Sequence, residues 1–187
     1  MPELILASAS PRRRELLATA GFAFSVRSRP VPELRSADES PLEYVGRLSY
    51  EKAIAAGANA DEIILGADTV VVVGDIVLEK PRDLADAHGM LSLLSGRPHQ
   101  VITGICLLHG ERVVQDHAVT EVTFAALTEA EISAYLHTGE PVDKAGGYGI
   151  QGRAAKFVER IDGCYFNVMG LPLSLVYRHW KALLARE

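Results

Sequence analysis

Ser8-Ala9-Ser10-Pro11-Arg12-Arg13-Arg14 places two hydroxyls and three guanidinium groups where a short apolar run, Leu4-Ile5-Leu6-Ala7, gives way to a helical pattern. A strand that turns directly into a helix at such residues predicts an anion site. Ser10 in the cap position and Pro11 at the first helical position mark the helix start, where unpaired backbone N–H groups carry partial positive charge. Three arginines in a first turn that would ordinarily carry Asp or Glu argue for an anionic ligand, with phosphate the natural candidate. The alternative for the same pattern is a plain cap with its arginines on a solvated face.

Asp68 stands in Gly66-Ala67-Asp68-Thr69, bracketed by the apolar runs Ile63-Ile64-Leu65 and Val70-Val71-Val72-Val73. A carboxylate there has little reason to exist unless it serves a metal, acts as a base or meets a cationic partner; the alternative is an acid at a strand end satisfied by backbone N–H groups. Glu33, Asp38 and Glu39 supply further acids in a polar segment, and Glu79-Lys80-Pro81-Arg82-Asp83 supplies charge after a hairpin. With Lys52 and the arginines, these are the parts of a metal-assisted phosphoryl or nucleotidyl reaction: cations for phosphate oxygens, carboxylates for Mg²⁺ and a base for water. No G-x-x-x-x-G-K-[ST] sequence occurs, and Gly146-Gly147-Tyr148-Gly149 lacks the strand-to-helix setting of a dinucleotide fingerprint. The histidines at 88, 99, 109, 117, 137 and 179 lack metal-ligand spacing and read as surface or packing residues.

The elements that must position these groups are legible in outline. Phe22 to Val26 reads as a short strand, and Arg27 to Ser40 as a polar connection. Pro41 opens a helix capped by Ser40 and running toward Ala58, with Leu42, Val45, Leu48, Ala53 and Ile54 on its apolar face and Lys52 late along it. The two apolar runs around Asp68 read as buried strands, and Gly74-Asp75 turns the chain back through Ile76-Val77-Leu78. Asp83 to Leu94 reads as an amphipathic helix closed by Ser95-Gly96. Val101 to Leu108 and Val113 to Phe124 are two long strands joined at Gly110, and Thr128 with Glu131 forms a capping box. Gly139 to Gly152 reads as a long functional loop before a Phe157-Val158 strand and a helix from Leu171 to Leu184. Alternating strands and helices with buried strands indicate an α/β fold around a mixed sheet.

Composition narrows the class. With 187 residues, 48% hydrophobic and 23% charged, the chain suits one globular domain or two small lobes sharing a core. A net charge of −5 and 6% aromatic residues argue against a nucleic-acid module and for a small anionic ligand. Cys106 and Cys164 form no disulfide or zinc pattern and read as reduced cysteines of a cytoplasmic protein. No apolar run approaches the roughly 20 residues of a membrane span, and the N-terminal order of apolar run before arginines does not fit a secretory signal.

Taken in order, Ser8-Ala9-Ser10-Pro11-Arg12-Arg13, Glu51-Lys52-Ala53, Gly66-Ala67-Asp68-Thr69-Val70, Glu79-Lys80-Pro81-Arg82-Asp83, Leu94-Ser95-Gly96, Val101-Ile102-Thr103, Asp143 to Gly152 and Val168-Met169-Gly170-Leu171-Pro172 resemble the successive motifs of the Maf proteins, over nearly the whole chain. The resemblance implies one domain over 1–187, similar to the inosine triphosphate pyrophosphatases, with a mixed, partly extended sheet in two lobes around a deep cleft. It implies cleavage of nucleoside triphosphates between the α and β phosphates, giving the monophosphate and pyrophosphate. Asp68 would accept the proton of the attacking water, also touching the metal. Ser8, Arg13, Lys52 and Lys80 would hold the triphosphate, and Glu33 would help hold Mg²⁺ or Mn²⁺. Arg12, Thr69 and Gln151 match the branch acting on dTTP, UTP and related pyrimidine nucleotides, where the Gln151 amide can both donate to and accept from a pyrimidine edge. The position before Glu33, often acidic in the family, is Pro32 here, so a second supporting carboxylate is missing. The expected protein is a cytoplasmic, divalent-metal-dependent enzyme removing unwanted or modified pyrimidine nucleotides. Its partner is the nucleoside triphosphate, with no nucleic acid and no membrane, and a homodimer is compatible with the resemblance. The competing reading is a nucleotide-sensing regulator of cell division acting through a protein partner, which would bind nucleotide tightly without turnover.

Overall fold

The first strand, β1 (Glu3–Leu6), pairs in parallel with both β2 (Phe24–Val26) and β3 (Glu62–Val73), setting Leu6 beside Val26 on one side and Leu65 on the other. Its Leu4-Ile5-Leu6 core residues are buried on both faces, as a parallel strand covered by helices requires. The computed structural model describes residues 2–57, 59 and 61–185. Strand neighbours run β2-β1-β3-β5-β6-β7, and β4 (Ile76–Leu78) pairs antiparallel with the far half of β3 through the turn at Gly74, whose φ is 57°. The remaining strands are β5 (Pro98–His109), β6 (Arg112–Phe124) and β7 (Val158–Asp162). The expected mixed sheet is therefore present.

Contacts group the chain into two compact units, the first of Met1–Asp68, Thr103–Ala118 and Gly170–Glu187, the second of Thr69–Ile102 and Val119–Met169. In the first, helix α1 (Pro11–Thr19) buries Leu16 and Leu17, and helix α2 (Pro41–Ala56) buries Tyr44, Val45, Leu48, Ser49, Ala53 and Ala56. Ile5, Ala7, Ala53, Ala56, Ile64, Cys106 and Leu108 form one of its apolar clusters. Helix α2 starts on the expected Ser40 cap, completed by Glu43 as a capping box, while its expected end at Ala58 lies outside the described residues. Leu42 and Ile54, expected on its apolar face, are 42% and 52% exposed. Two glycines let α2 lie against the sheet. A Cβ on Gly66 would come 2.0 Å from the Ser49 carbonyl oxygen, and one on Gly104 would come 2.5 Å from that of Val45. Helix α6 (Leu173–Leu184) belongs to this unit as well.

The second unit is built on a core of Val71, Leu91, Leu94, Val122, Phe124, Tyr135, Tyr148 and Phe157 among others. It contains helix α3 (Leu84–Leu94), capped by Asp83, helix α4 (Glu129–Leu136), opened by the expected Thr128 and Glu131 box, and the short α5 (Tyr165–Val168). Three expectations need correction. The runs on either side of Asp68 are one twelve-residue strand, β3, so Asp68 lies inside a strand. The segment from Gly139 to Gly152 is wound into 3-10 turns at Glu140–Asp143 and Ala145–Gly147, with Gly146 and Gly147 at φ 69° and 72°, where a side chain would be strained. Phe157 closes a further 3-10 turn, Arg153–Phe157, and β7 begins only at Val158. Among the described residues no helix is long and apolar enough to cross a membrane.

Candidate active site

Where β1 ends, the Ala7 amide still donates to Leu65 O at 2.8 Å, and the chain then leaves the sheet toward α1. Ser10 occupies the cap position, but its side chain makes no capping bond; its amide instead donates to Ser8 Oγ at 3.3 Å. The hydroxyl that organises this turn is thus Ser8, which is buried. Arg13 folds back over it. Nη1 donates to Ser8 Oγ at 3.1 Å and to Ala67 O at 2.8 Å, while Nε donates to Gly170 O at 2.8 Å. One guanidinium therefore ties together the β1–α1 turn, strand β3 and the start of the C-terminal segment. Burial pulls the Arg13 pKa below its ordinary value, against the favourable charges of Asp68 and Glu33, and an arginine so placed remains charged. Arg12 is half-buried in the same turn and Arg14 is exposed.

Three positions beyond Leu65, where the β1 register ends, β3 presents Asp68, buried to 7% exposure. Lys52 reaches it from α2: Nζ lies 2.5 Å from Asp68 Oδ1 and 2.6 Å from Glu33 Oε1. A single ammonium bridges the strand carboxylate and the loop carboxylate. Burial raises the Asp68 pKa above the usual carboxylate value, and the charges of Lys52 and Arg13 act in the opposite direction. Desolvation makes the carboxylate a stronger proton acceptor, while the cations keep the ionised form accessible. Ser8, Arg13, Glu33, Lys52 and Asp68, drawn from four separate stretches of sequence, come together within the first unit.

Glu33 owes its place to a residue that sequence reading passed over. Arg47 on α2 donates to both carboxylate oxygens of Glu39, at 2.7 and 2.8 Å, and to Leu34 O at 3.0 Å. It also pairs with Glu51 one turn along the helix at 3.2 Å. The loop that carries Glu33 is fastened by this guanidinium to the helix that carries Lys52. Glu39, considered above as a further acid for the chemistry, is spent on that anchor, and Asp38 is exposed. The i,i+4 spacing of Arg47 and Glu51 was the only local signal. Gly170, from the Val168-to-Pro172 motif, contributes a backbone carbonyl to Arg13, for which no sequence signal exists.

In the second unit, Thr69 follows Asp68 along β3 and is half-buried, Lys80 is exposed just after β4, and Gln151 is exposed in the turn Gly149 to Gly152. Two of the nearby charges have local work: Asp83 caps α3 and Arg82 pairs with Asp86 at 3.1 Å. The histidines take packing or surface roles, as expected: His99 sits edge-on to Phe124 and Tyr148, His109 bonds the Glu62 carbonyl, and His179 pairs with Asp116. Both cysteines are free, and burial pushes the Cys106 thiol up to about 12, so it is unreactive. Among the described residues no group of three or more His, Cys, Asp or Glu could hold a metal ion. A smaller set, the Glu33 and Asp68 carboxylates, meets at Lys52 Nζ. These two hard donors already converge on one positive centre, a set that suits Mg²⁺ or Mn²⁺, which commonly takes one or two carboxylates and completes its shell with water and substrate phosphates.

The family profile described as Maf-like protein matches residues 3–183. The dTTP/UTP pyrophosphatase of Koribacter versatilis (strain Ellin345) is 50% identical over 176 residues, covering 94% of this chain and 91% of that protein. The dTTP/UTP pyrophosphatase of Vibrio cholerae serotype O1 is 53% identical over 173 residues, covering 91% of this chain and 92% of that protein. A solved structure, that of the Staphylococcus aureus Ham1 protein, is 13% identical with a TM-score of 0.46, covering 83% of this chain and 90% of that one.

Proposed function

The chain belongs to the Maf family, and on that premise we propose that it is a nucleoside triphosphate pyrophosphatase that hydrolyses dTTP and UTP to the monophosphate and pyrophosphate. The observation that carries this reading is the Lys52 bridge between Asp68 and Glu33, set beside the Ser8 and Arg13 turn. It gathers a desolvated base, a cation and a hydroxyl within one unit. Asp68 takes the proton of the attacking water, and Lys52 keeps that carboxylate ionised and oriented. Ser8 and the first turn of α1 face the phosphates with hydrogen-bond donors, and Lys80 adds charge that grows in value as the leaving pyrophosphate becomes more negative. Glu33 and Asp68 would hold a divalent cation, which when bound would supply Lewis-acid polarisation of the phosphoryl group. Arg12, Thr69 and Gln151 select the base, the Gln151 amide pairing with the pyrimidine edge.

We place the enzyme in the cytoplasm, clearing unwanted or modified pyrimidine nucleotides, with a homodimer compatible with the family resemblance; its relatives' printed activity supports the pyrimidine substrates. The test is a panel of the common nucleoside triphosphates at fixed Mg²⁺, with pyrophosphate and orthophosphate both measured. Pyrophosphate release from dTTP and UTP well ahead of ATP and GTP is the expected result. Tight binding without turnover would remove the enzyme assignment, release of orthophosphate alone would move the cut to the γ phosphate, and a purine preference would end the pyrimidine assignment.

A further inference from the structure

Gln151 stands out among the specificity residues because it is exposed, yet the chain on both sides of it is fixed with unusual density. Tyr148 and Ile150 are buried at 5% and 4% exposure. The amide of Gly152 donates to Gly149 O at 3.0 Å, closing the turn that carries Gln151 at its tip. Both ends of this turn lead to one carboxylate. At the near end, the Gly149 amide donates to the Tyr135 hydroxyl at 3.3 Å, and that hydroxyl donates to Glu140 Oε1 at 2.9 Å. At the far end, the Arg153 amide donates to Glu140 Oε2 at 3.0 Å.

The glycines are there to admit this grip. A Cβ on Gly152 would sit 2.3 Å from Glu140 Oε1 and 2.7 Å from Oε2, so the carboxylate packs directly on the backbone. A Cβ on Gly149 would meet Lys144 Cε at 2.8 Å. Lys144 in turn donates to Glu140 O at 2.5 Å and pairs with Asp143 at 2.7 Å, which holds the peptide of Glu140 itself. The Tyr135 ring is buried on α4 and meets Phe157 edge-on at 5.5 Å between centroids. Tyr135 and Glu140 thus form a clamp, rooted in a capped helix, that holds the orientation of the 149–152 turn.

We propose that Tyr135 and Glu140 are positioning residues for base selection, fixing the Gly149–Gly152 turn so that the Gln151 amide presents one donor and acceptor pattern. The inference rests on the reading of Gln151 as the residue that meets the base. An amide discriminates only when its backbone cannot move or rotate to suit a wrong edge, because the penalty for a mismatched donor then has to be met in full. A loosened turn would let Gln151 adapt to purine edges, and discrimination would fall while hydrolysis went on.

Tyr135→Phe keeps the ring and removes the hydroxyl at the centre of the clamp; Glu140→Ala removes the carboxylate, and Glu140→Gln retains its shape with one acceptor oxygen. In Tyr135→Phe and Glu140→Ala, amide hydrogen exchange at Gly149, Gly152 and Arg153 should rise while the rest of the chain keeps its protection. The dTTP-over-ATP ratio of kcat/KM should fall about tenfold, through KM for dTTP, with kcat nearly unchanged. Glu140→Gln should recover part of the ratio, and Tyr135→Phe combined with Gln151→Ala should be no less selective than Gln151→Ala alone. Unchanged exchange at the turn, or raised exchange with the ratio intact, overturns the clamp while leaving the pyrimidine assignment standing. A parent enzyme without pyrimidine preference, or a Gln151→Ala variant with its preference intact, overturns the reading of Gln151 and this inference with it.

Discussion

Lys52 Nζ lies 2.5 Å from Asp68 Oδ1, so the carboxylate buried in the middle of β3 is held by a cation arriving from α2. That contact gives the buried aspartate a cationic partner, one of the reasons its surroundings allow for a carboxylate there, in place of a strand-end acid satisfied by the main chain.

Asp68→Asn preserves the shape and the contact to Lys52 while removing the basic oxygen. The expected result is a fall in kcat of about 10²–10⁴ for dTTP, with thermal unfolding still cooperative. Steady-state kinetics with pyrophosphate detection decide it, and activity within a few fold of the parent would take Asp68 out of the role of base.

Arg13 behaves differently from an exposed phosphate ligand, since its Nε and Nη1 are committed to Gly170 O, Ser8 Oγ and Ala67 O. Removing the side chain strands buried acceptors, each at a cost of about 1–3 kcal/mol. Arg13→Ala should therefore shift the urea midpoint strongly downward, and Arg13→Lys should restore little, because one ammonium cannot span the three partners. An unaltered midpoint together with a raised KM would return Arg13 to a purely substrate-binding role.

Arg47→Met keeps an unbranched apolar stem and frees the loop that Arg47 fastens through Glu39 and Leu34. Limited proteolysis should then cut within 34–39 before any other site, and the half-maximal Mg²⁺ concentration for activity should rise because Glu33 is no longer delivered. Cleavage rates equal to the parent's would show that the loop is held by other means.

His99 is buried against Phe124 and Tyr148, and burial holds its pKa down at about 4. The unfolded chain takes up a proton there near pH 6.5, whereas the folded protein does not until about pH 4, so stability falls as pH drops through that window. The contribution is about 1.4 kcal/mol per pH unit for one proton. His99→Phe should flatten the dependence of unfolding free energy on pH between 4 and 6.5. A parallel slope in both proteins would assign it to other groups.

The capped helices were legible because a cap is a local device: Ser40 with Glu43 and Thr128 with Glu131 announce their helices within four residues. The hairpin at Gly74 was legible for the same reason. Strand β3 was divided in reading because Gly66 and Asp68 look like interruptions, whereas Gly66 is required by the helix lying against it and Asp68 by Lys52. Residue types at the site, Asp68 and Lys52 above all, could be singled out from their surroundings. Their supports could not. The Arg47 anchor, the Gly170 carbonyl and the Tyr135–Glu140 clamp depend on contacts between segments that carry no mark in the local pattern, and the 3-10 turns after Gly139 are written in glycines that signal a turn without saying which.

Because Gly66 and Gly104 bring α2 into direct contact with strand backbone, the spacing between Lys52 and Asp68 is set without any intervening layer of side chains. The protein can therefore drift widely in its apolar interior, exchanging Leu for Ile or Met over evolutionary time or in a stabilised variant, without changing the gauge of its reactive pair. The freedom granted to the interior is withheld at these two glycines: a single added methyl group at Gly66 would act as a wedge between helix and strand, felt in the melting curve as well as in turnover.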